Sequence, residues 1–119
     1  MRKLNLADYM AKIKISDPEN PMEEIKEVEF PYHVRDSILN LMFSPQLQLS
    51  NAEVVKQNVL AIKLEQCNDG EVLLEDEEYD RIKKAFDIFR GFGRPDVELV
   101  KRINEAPVAE VEEIKPKEG

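Results

Sequence analysis

The chain has 119 residues, a net charge of −8, and 35% charged against 42% hydrophobic side chains. That length suits one domain able to bury about two-thirds of the surface its unfolded chain exposes, and the composition is not that of a disordered segment. The acidic balance argues against gripping a phosphate backbone with clustered Lys and Arg. It leaves open a basic protein surface as partner, including mimicry of a nucleic acid.

Cys67 is the one cysteine, so no internal disulfide forms, and with the one histidine, His33, it does not make a zinc site. No apolar run approaches the ~18 residues of a membrane span. Lys12 and Lys14 interrupt any apolar core of a signal peptide near the N-terminus, which leads to the expectation of a cytoplasmic protein.

Taken in order, Tyr9-Met10-Ala11-Lys12-Ile13-Lys14-Ile15 alternates between apolar and polar, the pattern of a half-buried strand. A turn-rich segment with Pro18 and Pro21 follows, and alternation resumes from Glu24 to Phe30, predicting an antiparallel hairpin. Across it Lys12 and Lys14 meet Glu27 and Glu29, and Pro31 is expected to end the second strand. Val34 to Phe43 reads as a helix burying Val34, Ile38, Leu41 and Met42, stopped at Ser44-Pro45. Ser50-Asn51-Ala52-Glu53 is a capping box opening a helix that runs to Gln66. Val55, Val59 and Ile62 mark its narrow apolar stripe. Val54, Leu60 and Leu64 widen the apolar surface, suggesting contact on two sides.

Val72-Leu73-Leu74 reads as extended and leads into the central helix. There Tyr79, Ile82, Phe86 and Phe89 recur at steps of three and four along one face. Asp76 is the expected cap, acidic Glu77, Glu78 and Asp80 suit the positive end of the dipole, and Arg90 with Gly91 closes the helix. Phe92 lies between two glycines, either tucked into the core or offered to a partner. Pro95 opens a last helix through Val97, Leu99, Val100 and Ile103 to Ala106, and Val108 to Ile114 alternates imperfectly as an edge strand.

The chain lacks a G-x-S-x-G elbow, an H-E-x-x-H helix, a phosphate-cradling glycine pattern and a calcium loop. His33 reads as a surface or capping residue and Cys67 as a small buried hydrophobe. No catalytic residue, cofactor site or metal site is predicted.

The stretch E-V-L-L-E-D-E-E-Y-D-R-I-K-K-A-F from Glu71 to Phe86, followed by G-F-G-R-P-D-V-E-L-V-K-R-I-N-E-A-P from Gly91 to Pro107, resembles short accessory proteins encoded in tailed-bacteriophage genomes. The resemblance implies a non-enzymatic protein acting by contact with phage or host proteins during assembly or regulation. It transfers no functional residues.

The expectation is a single α+β domain over residues 1–114 with a frayed tail over 115–119. It comprises an N-terminal β-hairpin on four helices and a short C-terminal strand. The expected role is a self-associating protein-interaction module, with Val54, Leu60, Leu64 and Phe92 as candidate partner contacts. The alternative is an acidic inhibitor occupying a basic groove through Glu23, Glu24, Glu27 and Glu29 or through Glu75 to Asp80. An enzyme would require a deep pocket holding His33 or Cys67 beside a carboxylate. Neither direct nucleic-acid binding nor a membrane partner is expected.

Overall fold

Alternating and helical apolar periods both find their counterparts in the computed structural model, which describes residues 1–15, 26–68 and 70–109. The fold is α+β, with two two-stranded antiparallel sheets and four α-helices among these residues. The predicted hairpin is β2 (Tyr9–Ile15) with β3 (Lys26–Tyr32), in a register that sets Lys12 opposite Glu29 and Ala11 opposite Phe30. Lys12 Nζ lies 3.5 Å from carboxylates of both Glu27 and Glu29, the cross-strand pairing that alternation implies. Contrary to expectation, Pro31 does not end β3. The strand continues to Tyr32, with Pro31 opposite Met10. A proline is tolerated where its missing N–H would point to an open edge, as it can in a two-stranded sheet.

The second sheet joins β1 (Arg2–Asn5), which no sequence pattern announces, to β4 (Glu71–Leu74). Leu4, Val72 and Leu74 face the core. On its other side β1 meets the chain after the last helix. The Lys3 amide donates to the Pro107 carbonyl at 3.0 Å, the Ala109 amide donates to Met1 at 2.8 Å, and Arg2 bridges to Val108. The expected C-terminal strand is thus a single bridge within the described residues, and residues 110–119 lie outside them.

Helix α1 (Val34–Met42) buries Val34, Ile38, Leu41 and Met42, as its spacing requires. α2 (Asn51–Glu65) opens with the Ser50 hydroxyl accepting from the Glu53 amide at 3.2 Å. Glu53 does not close the expected capping box, because its carboxylate binds Arg81 at 2.6 Å. α3 (Asp76–Ile88) buries Tyr79, Ile82, Ala85 and Phe86, while Phe89 is half-buried just past its end. The residue before α3 is Glu75, not Asp76. Glu78 reaches back to the Glu75 amide at 2.8 Å, and Asp76 lies 3.3 Å from the N-terminal ammonium. At the other end the Arg90 guanidinium donates to the carbonyls of Asp87, Ile88 and Phe89, which lack helical partners, and Gly91 takes φ +122°. A short 3-10 turn containing Pro95 leads into α4 (Val97–Asn104), which buries Leu99 and Ile103.

Tyr9 and Tyr32 stack at 4.7 Å between the hairpin and this turn. The Tyr9 hydroxyl donates to the Pro95 carbonyl at 2.7 Å, and that of Tyr32 donates to the Asp96 carboxylate. Burial pushes both phenols above their ordinary range, aided for Tyr32 by the Asp96 carboxylate. A phenol raised on folding stabilises fully below its unfolded value near 10, and that contribution fades as pH rises through the folded value. The native chain should therefore ionise these tyrosines later than the urea-unfolded chain in an absorbance titration at about 295 nm, with part of the lag lost in Tyr32→Phe. Superimposable native and unfolded curves would contradict the packing of this corner.

Candidate interaction surface

Helix α2 carries apolar residues on opposite sides. Positions 55 and 57 are two residues apart, about 200° around a helix of 3.6 residues per turn. Gln57, Leu60, Ala61 and Leu64 share the inner side and are buried, Leu60 at 3% exposure and Leu64 at 0%. Val55, Val59 and Ile62 share the outer side, at 63%, 65% and 42% exposure. Leu60 and Leu64, named as partner contacts from the sequence, are therefore core. The inner side is chosen by what α1 and α3 offer. Gln57 Nε2 donates to the Met42 carbonyl at the end of α1 at 3.0 Å, and its Oε1 accepts from Arg81 at 3.3 Å.

Val54 lies at the edge of the outer stripe, 40% exposed. Phe92 combines both of its expected roles: its ring stacks on Phe86 at 5.6 Å, meets Phe89 edge-on at 5.0 Å, and keeps 36% of its surface exposed. The structure thus leaves Val54 and Phe92 accessible on separate elements and withdraws Leu60 and Leu64.

α3 is tied to α2 by Lys63–Glu78 at 2.7 Å near one end of α2 and by Arg81–Glu53 near its other end. The Arg81 guanidinium, first through its hydrogen bond and then through its charge, holds the Glu53 carboxyl below its usual range. An open groove of about 450 Å³ runs alongside, with Leu47, Leu49 and Ile88 at its apolar part and Glu77, Asp80, Arg81 and Lys84 on its charged part. The acids predicted to gather on one face are interleaved with bases. Glu27 and Glu29 flank Lys12, and Glu78 pairs with Lys63. Glu23 and Glu24 lie outside the described residues.

The two residues named as markers of a catalytic site share a cleft of about 430 Å³ with Asp8, Arg35 and Asp36. The Asp8 carboxylate lies 2.9 Å from His33 Nδ1 and also accepts the Val34 amide at 3.0 Å, so it caps α1 from outside the helix. The cleft is open, with both side chains more than half exposed. The half-buried Cys67 thiol donates to the Glu71 carbonyl at 2.9 Å. What the arrangement does is fix the start of α1. The His33 hydrogen bond, then the Val34 amide, holds the Asp8 carboxyl below its usual range. A carboxyl depressed on folding stabilises above its unfolded value near 3.9 and loses that contribution as pH falls through the folded value. Asp8→Ala should therefore cost about 0.5–2 kcal/mol near neutral pH. In urea melts the gap to wild type should narrow as pH falls below the unfolded value and on through the lowered folded one. A gap independent of pH would contradict the charged cap.

Among the described residues no group of three or more His, Cys, Asp or Glu side chains is arranged to hold a metal ion, and no helix is long and apolar enough to cross a membrane. Comparison with family models, curated proteins and solved structures finds no match to this chain.

Proposed function

We propose that the protein is a non-enzymatic protein-interaction module whose working surface is the outer side of α2, in keeping with an accessory role in phage assembly or regulation. The observation that carries this reading is the exposure of Val55, Val59 and Ile62 along one side of a well-capped helix whose other side is fully used in the core. Scattered exposed apolar residues are ordinary, but three at helical spacing form a continuous strip, and such strips mark surfaces that bind other proteins. The fold does not need these side chains, since α2 is already anchored by Leu60, Leu64 and Gln57.

The test is a photo-crosslinking residue placed at position 59 and, as a control, at the exposed position 101, in cells that produce the chain. Protein adducts from position 59 and none from position 101 support the reading. Absence of adducts at 59 would contradict it. The mixing of acids with bases on the described surface leaves the nucleic-acid-mimic alternative without a supporting observation.

A further inference from the structure

We propose that the domain carries a second site, a cleft that takes the guanidinium group of an arginine side chain presented by a partner protein. The cleft measures about 390 Å³ and lies where α1, the loop after α3 and the 3-10 turn before α4 meet. It shares no lining residue with the α2 strip, so neither proposal rests on the other.

Its walls follow from local chemistry. On one side Ser37, Asn40 and Ser44 recur at steps of three and four along α1 and just past its end. On another stand Phe89 and Phe92, in a loop that Gln46 holds from both directions. Gln46 Nε2 donates to the Arg90 carbonyl at 2.9 Å, and its Oε1 accepts the Arg90 amide at 2.8 Å. Phe92 is anchored on Phe86 and Phe89, yet keeps 36% of its surface exposed. The wall is thus set before anything binds, which lowers the cost of binding.

Asp96 is the one charged side chain lining the cleft among the described residues. Its carboxylate accepts the Tyr32 hydroxyl through Oδ1 and the Gly93 amide through Oδ2, the latter at 2.7 Å. Both donors are neutral, and Asp96 belongs to none of the ion pairs among the described residues. The two bonds therefore fix the carboxylate in place without cancelling its charge. An ionised carboxylate offers about four acceptor positions, so capacity remains for a further donor.

A fixed negative charge beside aromatic rings attracts a cation. A guanidinium suits this lining better than an ammonium. It is planar, stacks on rings and is more weakly hydrated, and its fork of donors matches a carboxylate flanked by amide and hydroxyl oxygens. Sites for free small molecules enclose most of their ligand. This cleft is open, which suits one side chain reaching in from a larger body. The net charge of −8 favours the approach of a basic partner surface.

The test titrates the isotope-labelled chain with N-acetyl-arginine methylamide and follows backbone amide signals by NMR. Signals of Asn40, Phe92, Gly93 and Asp96 should shift saturably. The matching citrulline compound, which has the shape without the charge, should leave them in place, and the lysine compound should bind several-fold more weakly. Phe92→Leu should weaken the arginine compound about two- to fivefold, the worth of an exposed cation–π contact. Asp96→Asn should weaken it about tenfold. Asn40 is exposed, so Asn40→Lys should melt at the wild-type temperature while its added charge weakens binding tenfold or more, on the order of a like-charge contact. That variant decides the matter if Asp96→Asn does not fold. No shift with the arginine compound, equal shifts with the citrulline compound, or undiminished binding by a folded Asn40→Lys chain would overturn the site. Equal binding of the lysine compound would overturn the choice of guanidinium.

Discussion

Leu64→Ala should destabilise the chain by about 2–5 kcal/mol, whereas Val59→Ala, five residues earlier on the same helix, should change stability by about 0.5 kcal/mol or less. Leu64 is fully buried and Val59 is 65% exposed. Removing Leu64 takes away transfer free energy and opens a cavity between α2 and the core that rigid neighbours fill only in part. Val59 loses only atoms that water already surrounds. For a domain of this size the first change should lower the melting temperature by roughly 10 °C or more, and the second should leave it nearly unchanged. Equal losses at the two positions would mean that the helix is turned the other way. The contrast extends to binding: Val59→Ala should weaken association at an intact fold.

Gln57→Leu should cost about 1–3 kcal/mol despite replacing a polar core residue with an apolar one. Gln57 is 1% exposed and ties three elements together, donating to the last residue of α1 and accepting from Arg81 on α3. Leucine fits the volume but leaves the Met42 carbonyl without this donor and removes one of the two acceptors that hold the half-buried Arg81 guanidinium. Unpaired buried polar groups cost more than the hydrogen bond that satisfied them was worth. Glu53 remains bound to Arg81, so the charge is not abandoned and the loss stays below that of breaking a buried ion pair. A double-mutant cycle between Gln57→Leu and Arg81→Met should show coupling, measured by urea unfolding. Additive losses would mean that the two side chains do not act together.

The helix with a single apolar side was legible in the sequence. Val34, Ile38, Leu41 and Met42 share one side with Asp36 and Asn40 opposite, so period decides which way α1 faces. The hairpin was legible for the same reason, since a period of two with lysines opposing glutamates admits one register. α2 was not, because its apolar residues occupy both sides and period cannot say which side the core takes. That choice rests on Gln57, whose partners Met42 and Arg81 lie 15 and 24 residues away.

β1 was illegible because Arg2-Lys3-Leu4-Asn5 becomes a strand only by pairing with a segment about seventy residues on, in a register where Arg2 meets Leu74. The cap of α1 was hidden likewise. Asp8 precedes Val34 by 26 residues and belongs to no helix-start pattern. Exposure of the strip, the observation on which function turns, depends on the packing of the whole domain and not on any motif.

The account depends on the outer side of α2 being both open to solvent and covered when the protein works. Single cysteines at positions 55, 59 and 62, with position 101 as control and Cys67→Ser as background, can be labelled with a maleimide in dilute pure protein and again in the presence of the protein captured by cross-linking at position 59. All four should react rapidly when dilute, and on association 55, 59 and 62 should slow while 101 does not. Slow labelling of the three in the dilute chain, or no protection of them under any associating condition, would contradict it.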